Sequence, residues 1–135
     1  MSYGDEPVLR SVASPIGQMD LLEGGVIRHV LEPAALVDAA AAAEVLRLTA
    51  ELAAGSRVAV VVDLRAIGFA DDEAQSMFST SDAEGVEVAT ALLVHGSIAK
   101  YLVKRFTNKM APARPVRIFE SPLEALGWAR EMVAG

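Results

Sequence analysis

Hydrophobic and polar positions along the 135-residue chain change in blocks that predict strands first and then strands alternating with helices. Two apolar-rich runs, Ile16 to Glu23 and Val26 to Leu31, are joined by Glu23-Gly24-Gly25. Two glycines at such a junction favour a β-hairpin, because a tight turn needs positive φ angles. Residues 1–15 have a weak pattern. They predict either a loose N-terminal arm or an extra edge strand.

A helical pattern follows the predicted hairpin. From about Leu36 to Ala54 the chain is rich in Ala, Leu, Glu and Arg, which are strong helix formers. Apolar residues recur there at the spacing of one helix face, at Ala41, Val45, Leu48 and Leu52. Asp38 suits the start of this helix, and Gly55 suits its end.

Two nearly continuous apolar runs predict strands that are buried on both faces. They are RVAVVVDL, from Arg57 to Leu64, and VATALLV, from Val88 to Val94. Such runs are typical of parallel sheets, which helices cover on both sides. A shorter strand is predicted from Val116 to Phe119.

A helix is predicted after each of these three strands. The first spans Asp71 to about Ala83, the second runs from an N-cap at Ser97 to about Thr107, and the third begins at Ser121-Pro122. The order is therefore β-β-α-β-α-β-α-β-α. It predicts a single α/β domain over residues 16–135, with an N-terminal hairpin, a mainly parallel sheet and about four helices.

Composition narrows the class of protein. The chain is 53% hydrophobic and 22% charged, which predicts a folded domain, and it has no cysteine for disulfides, thiolate metal sites or nucleophiles. No apolar run reaches the roughly 20 residues that span a bilayer. The start, MSYGDEPVLR, lacks the basic and then apolar order of a signal peptide. We therefore expect a cytoplasmic protein.

The net charge of −6 disfavours nucleic-acid binding, because phosphate contacts need a cationic surface. The charge is unevenly distributed, however. Residues 1–87 hold 15 acidic and 5 basic residues, whereas residues 88–119 hold no acid and six bases. This basic segment contains Lys100, Lys104, Arg105, Lys109, Arg114 and Arg117. An acidic surface and a basic surface on one domain allow two copies to associate, so a homodimer is one expectation.

The segment VVVDLRAIGFADDEAQ resembles the centre of STAS domains, the relatives of the sporulation anti-sigma-factor antagonist. In both, a hydrophobic strand ends in Asp-Leu and a short hydrophobic loop leads into a helix. The later stretch from Ala91 to Ala129, which includes LEALGW at Leu123 to Trp128, is similar to a bacterial branch with STAS-like and CRAL-TRIO-like features. The resemblance covers about residues 16–133 and implies an STAS-like fold.

One departure from the STAS pattern bears on function. STAS antagonists are regulated through a phosphorylated serine in an Asp-Ser-Ser-Gly motif, and the corresponding residues here are Asp71-Asp72-Glu73-Ala74. The resemblance therefore implies a helix start that no kinase switches in this way. Asp71, Asp72 and Glu73 are candidate partner-binding residues. A simpler interpretation is that their negative charge in the first turn is favoured by the helix dipole. A cation site is a further alternative.

A second candidate site follows the strand that ends at Val94. His95 and Ser97 lie where a parallel strand meets a helix, a position that binds ligands in open α/β sheets. With Lys100, Lys104 and Arg105 they form a candidate site for an anionic ligand such as a lipid headgroup. Simpler interpretations are a helix cap for Ser97, a strand-end residue for His95 and solubilising charges for the bases. His29 is expected to be structural, within the hairpin.

Catalytic and cofactor motifs are missing from the sequence. It has no phosphate loop, no dinucleotide fingerprint and no zinc or calcium pattern, and no base with an orienting partner is evident. We therefore expect no metal, no cofactor and no enzyme. The first expectation for function is an STAS-like regulatory domain that binds a protein. The alternative is a small carrier of an apolar or anionic ligand, with a cavity near His95, Ser97 and Phe106.

Overall fold

The structure is a computed structural model that describes residues 2–33, 37–66, 72–81, 83–97, 99–101, 103–104 and 113–135, with the backbone alone for Asp72 and Ser79. The strands are β1 (Val8–Ser14), β2 (Gly17–Leu22), β3 (Val26–Leu31), β4 (Val58–Asp63), β5 (Glu87–Leu93) and β6 (Val116–Phe119). The helices are α1 (Ala39–Ala53), α2 (Asp72–Thr80), α3, described at helical positions 97, 99–101 and 103–104, and α4 (Pro122–Ala134).

The six strands form one mixed sheet in their sequence order, from β1 to β6. β1, β2 and β3 pair antiparallel, and β3, β4, β5 and β6 pair parallel. The predicted hairpin is β2–β3, with φ of 85° at Gly24 and 77° at Gly25. Of the two alternatives for residues 1–15, the structure has the extra edge strand, because residues 8–14 form β1.

Both faces of the sheet are covered where the strands are parallel. In β4, Val58 and Val60 pack in the core beneath α1 and α2, whereas Ala59 and Val61 pack beneath α4. This alternation confirms that the RVAVVVDL run is buried on both sides. The result is a three-layer α/β architecture, with α1 and α2 on one face and α4 on the other.

The helix starts follow their local chemistry. Asp38 accepts a hydrogen bond from the Ala41 amide at 2.9 Å, and Ser121 accepts one from the Glu124 amide at 3.3 Å, so both predicted caps are present. At α3 the prediction is wrong. The Gly96 carbonyl accepts from the Lys100 amide at 3.1 Å, which makes Gly96 the cap and places Ser97 in the first turn. Gly96 has a φ of 89°, so the chain turns one residue earlier than expected.

His29 lies inside the core and is 2% exposed. Its Nε2 is 2.8 Å from the Ser14 Oγ, which also accepts a hydrogen bond from the Ile16 amide at 3.2 Å. Burial lowers the pKa of His29 to about 4. The pair joins β1 to β3, and a buried imidazole with such a low pKa is a poor base near neutral pH.

We predict that His29 makes the stability of the fold depend on pH. The unfolded imidazole takes up a proton near pH 6.5, whereas the native one stays neutral until about pH 4. Stability is therefore complete above pH 6.5 and falls as the pH drops toward 4, by about 2 kcal/mol at pH 5. Urea unfolding at pH 7.5 and pH 5 measures this change.

The exposed His95 provides the control for this experiment. His29→Gln should be less stable than the wild type at pH 7.5, but its free energy of unfolding should fall little further at pH 5. In His95→Gln the free energy of unfolding should fall between pH 7.5 and pH 5 as much as it does in the wild type. An equal pH dependence in wild type and His29→Gln would contradict the assignment.

Candidate functional site

The carboxyl ends of the parallel strands meet at one edge of the sheet, which is where ligands bind in open α/β folds. Asp63 ends β4, His95 lies two residues beyond β5, and Glu120 follows β6 directly. Of the candidate residues of the sequence, His95 therefore lies along this edge, and Asp63 and Glu120 are further polar residues there. Two side-chain clusters lie there, one around Asp63 and one along α3.

Asp63 is the centre of the first cluster and is 4% exposed. Its Oδ1 accepts from the Arg65 backbone amide at 3.1 Å and from the Arg65 Nε at 3.0 Å. Its Oδ2 accepts from the Arg65 Nη2 at 2.8 Å and from the Tyr3 hydroxyl at 2.7 Å. Both oxygens of the carboxylate are thus occupied by groups of the same chain.

These contacts fix the protonation states of the cluster. Burial alone would raise the pKa of Asp63, but hydrogen bonds from Arg65 and Tyr3 outweigh it, and the pKa lies below its usual value. Burial and the hydrogen bond to Asp63 raise the pKa of Tyr3. The lowered pKa keeps Asp63 an ionised hydrogen-bond acceptor near neutral pH.

An N-terminal strap, defined as residues 2–7, covers this part of the sheet. The Tyr3 ring lies 4.9 Å from the guanidinium carbon of Arg28 and 5.5 Å from that of Arg65. Glu6 accepts from the Arg130 Nη2 of α4 at 2.7 Å. An open surface recess of about 420 Å³ is lined by four strap residues and by Arg28, namely Gly4, Asp5, Glu6, Pro7 and Arg28.

Arg28 links the strap to the antiparallel strands. Its Nη2 lies 2.8 Å from the Asp20 Oδ2, while the Asp20 Oδ1 accepts from the Ser11 hydroxyl at 2.6 Å and from the Gln18 amide at 2.9 Å. The Arg28 Nε is buried without a hydrogen-bond partner. The sequence offers no signal for this cluster, because it joins Tyr3 to Asp63 across 60 residues.

The second cluster lies on α3. Ser97, Lys100, Tyr101 and Lys104 are all exposed, and they follow one another at i, i+3, i+4 and i+7, so they share one helix face. Tyr101 is 61% exposed. Lys100 Nζ lies 3.4 Å from the Glu120 Oε2, and His95 is exposed just before the helix. The candidate Arg105 lies outside the described residues.

The acidic candidates lie at the start of α2. Glu73 is exposed, Asp72 is described in its backbone only, and Asp71 lies outside the described residues. The helix begins at Asp72. Its first turn therefore carries negative charge, which the helix dipole favours at the N-terminal end.

The basic segment does not form one surface. Arg114 is 8% exposed, and its guanidinium donates to the Thr90 hydroxyl at 2.8 Å, to the Ser81 carbonyl at 2.7 Å and to the Phe78 carbonyl at 2.6 Å. Its Nε also lies 3.4 Å from the buried Glu87 carboxylate. Arg114 therefore joins the end of α2 to β5, so it neither solubilises the protein nor faces a ligand. Arg117 is exposed and lies over the Phe119 ring.

No group of three or more potential metal ligands occurs among the residues that the structure describes. Within the same part of the chain, no helix has the length and apolar character to cross a membrane.

The comparison with protein families decides the membership of the chain. The pattern of a domain of unknown function, DUF7793, matches residues 21–133. The chain belongs to the DUF7793 family. No curated protein and no solved structure matches it. The DUF7793 match begins within β2 and ends in α4, so it contains both the Asp63 carboxylate and α3, but not the strap.

We predict that the Arg114 contacts are a major source of stability. Arg114→Ala leaves the Glu87 carboxylate buried without its cation, and loss of one partner of a buried pair costs about 3–5 kcal/mol. Chemical denaturation measures this loss. Arg117→Ala is the matched control, because it removes an exposed arginine three residues away and should cost less than about 1 kcal/mol. Similar losses in the two variants would contradict the interpretation.

Proposed function

We propose that this DUF7793 protein is an STAS-like, non-catalytic regulatory domain that binds an acidic protein partner. The binding surface is the α3 surface, defined as His95, Ser97, Lys100, Tyr101 and Lys104. This proposal keeps four of the five candidate anion-binding residues that surround the start of α3, and it adds Tyr101. The fifth candidate, Arg105, follows directly after Lys104 in sequence.

The observation that carries the proposal is the exposed stripe on α3. A tyrosine that is 61% exposed lies between two lysines on one helix face. Tyrosine combines a large apolar ring with a hydroxyl and is enriched among the residues that dominate protein interfaces. Helices commonly bind partners through residues spaced at i, i+3, i+4 and i+7. The lysines favour a partner with acidic groups.

The state of the buried polar side chains supports binding rather than catalysis. Seven polar residues in the described part of the chain are buried, and each has a hydrogen-bond partner within the fold: Asp20, His29, Thr49, Asp63, Glu87, Thr90 and Arg114. In that part, the Arg28 Nε is the one buried side-chain polar atom without a partner. The partnered groups hold strands and helices together. A general base would instead need an accessible position and a pKa near the working pH.

The acidic start of α2 is the second element of the proposal. Asp71, Asp72 and Glu73 replace the serine-containing motif of STAS antagonists. Regulation through the acidic start of α2 would then depend on the concentration of the partner and not on phosphorylation of a serine in the motif. Glu73 is exposed at the same sheet edge as α3, since both helices follow parallel strands.

The alternative is a carrier of an apolar or anionic small molecule. His95 and Ser97 are exposed on the surface instead of lining an enclosed cavity, and Phe106, the third residue of the expected cavity, lies outside the described residues. A protein-binding surface is therefore a better-supported interpretation of these residues than a small-molecule site.

A photo-crosslinking experiment in the producing cells tests the proposal. A photoreactive amino acid at Tyr101 should crosslink to one specific protein, whereas the same group at Leu123 should not. Leu123 is the matched control, because it is 60% exposed and lies on α4. The crosslink should disappear in a Lys100→Glu/Lys104→Glu background, because the partner is acidic.

With the purified partner, Tyr101→Ala should weaken binding at least about tenfold, as expected for loss of an interface hot spot. Equal crosslinking from the two positions, or crosslinking that survives both charge reversals, would overturn the proposal. Binding to phosphatidylserine vesicles that depends on the two lysines, without a crosslinked protein, would favour the carrier.

A further inference from the structure

We infer that β1 is a self-association surface, through which two copies of this chain join their sheets antiparallel into one continuous sheet. β1 lies at the edge of the sheet, and β2 is its one strand partner among the residues that the structure describes. Alternate amides and carbonyls of an edge strand point outward without a strand partner. A second strand can satisfy them directly. This inference does not depend on the proposed α3 surface.

β1 lacks the residues that usually protect an edge strand. It is seven residues long, with the sequence VLRSVAS. It contains no lysine and no proline, and Arg10 is its single charged residue. Val8 and Leu9 are 46% and 60% exposed, although both are large and apolar. The opposite edge of the sheet, β6, is only four residues long.

One protective feature is present, and it limits where pairing can occur. The register with β2 shifts between Val8 and Arg10, which indicates a β-bulge at Leu9. The regular part of the strand is therefore 10–14. Pairing of this part leaves Leu9 at the end of the ladder, where its exposed side chain can cover the second copy.

A two-fold axis through the middle of this regular part brings no like charges together. With the axis at Val12, Arg10 lies opposite Ser14 of the second copy. The single charge of the strand then faces an uncharged residue. A self-complementary strand of this kind generates a closed dimer, because the interface is isologous.

The charges next to the edge also favour a second copy. α1 packs beside β1, and the Arg10 Nη2 lies 3.6 Å from the Glu51 Oε1 on that helix. Together β1 and α1 hold two arginines and two glutamates, namely Arg10, Arg47, Glu44 and Glu51. The edge is thus neutral in a protein whose net charge is −6. Two copies approach through this edge without the repulsion that their acidic surfaces would produce.

Sedimentation velocity over a range of protein concentrations tests the inference. The wild-type protein should shift from monomer to dimer as its concentration rises. Leu9→Lys should weaken the dimer at least about tenfold, because an edge lysine in each copy opposes strand pairing. Leu123→Lys is the matched control, since Leu123 is also 60% exposed but lies on α4. It should dimerise as the wild type does.

The salt dependence separates this dimer from one that joins the acidic start of α2 to the lysines of α3. A dimer through the neutral edge should tighten as salt screens the net negative charge, whereas a charge-paired dimer should loosen. A wild-type protein that stays monomeric, or a dimer that loosens with salt or is unaffected by Leu9→Lys, would overturn the inference.

Hydrogen exchange provides a measurement that needs no variant. Outward amides of residues 10–14 should exchange more slowly at high protein concentration than at low concentration. Amides of β6, at the other edge, should exchange at the same rate in both. Equal rates for residues 10–14 at the two concentrations would also contradict β1 pairing. If Leu9→Lys fails to fold, Ala13→Lys replaces it in the sedimentation experiment, because it places the same charge on the exposed edge.

Discussion

The burial of β4 on both faces is the constraint on which the rest of this structure depends. A strand of valine and alanine with parallel neighbours on each side has no surface that water can cover, so it requires two layers of helix. α1 and α2 supply one layer and α4 supplies the other. Asp63 ends this strand, and its charge is therefore held by Arg65 and Tyr3. The two-sided core and the Asp63 cluster therefore both follow from the burial of β4.

Coverage of the α4 side is unequal along the sheet. Among the described residues, α4 lies mainly over β4 and β5 and contacts β3 less, while Tyr3 of the strap lies over Arg28 on β3. This explains why polar side chains such as Asp20 and Arg28 are found there and why they bind one another. On this side, the antiparallel strands tolerate polar residues at the positions that α4 does not cover. The exposed edge at β1 belongs to these antiparallel strands.

The sequence predicts the fold well wherever the pattern is local. Periodicity at Ala41, Val45, Leu48 and Leu52 locates α1, and the continuous run before Asp63 locates a strand that is buried twice. Local patterns could not predict the Tyr3–Asp63 bond, because nothing near Tyr3 indicates which strand end it will meet. They also placed Arg114 with five other bases, although its neighbours in space are Glu87, Thr90 and two carbonyls. The sequence predicted only part of the exposed stripe on α3. The charges of Lys100 and Lys104 make them candidates for binding, whereas nothing in the local pattern marks Tyr101 as a binding residue.

The ion pair between Glu6 and Arg130 has a consequence for how the protein is made. The two residues are 124 positions apart, so their contact forms only after almost the whole domain has left the ribosome. Closing a loop of that length is entropically costly, and contacts within the hairpin and between successive strands can form earlier. The strap is therefore expected to dock late, onto a sheet that is already assembled. Until it does, Asp63, Arg28 and Arg65 lack their contacts with Tyr3.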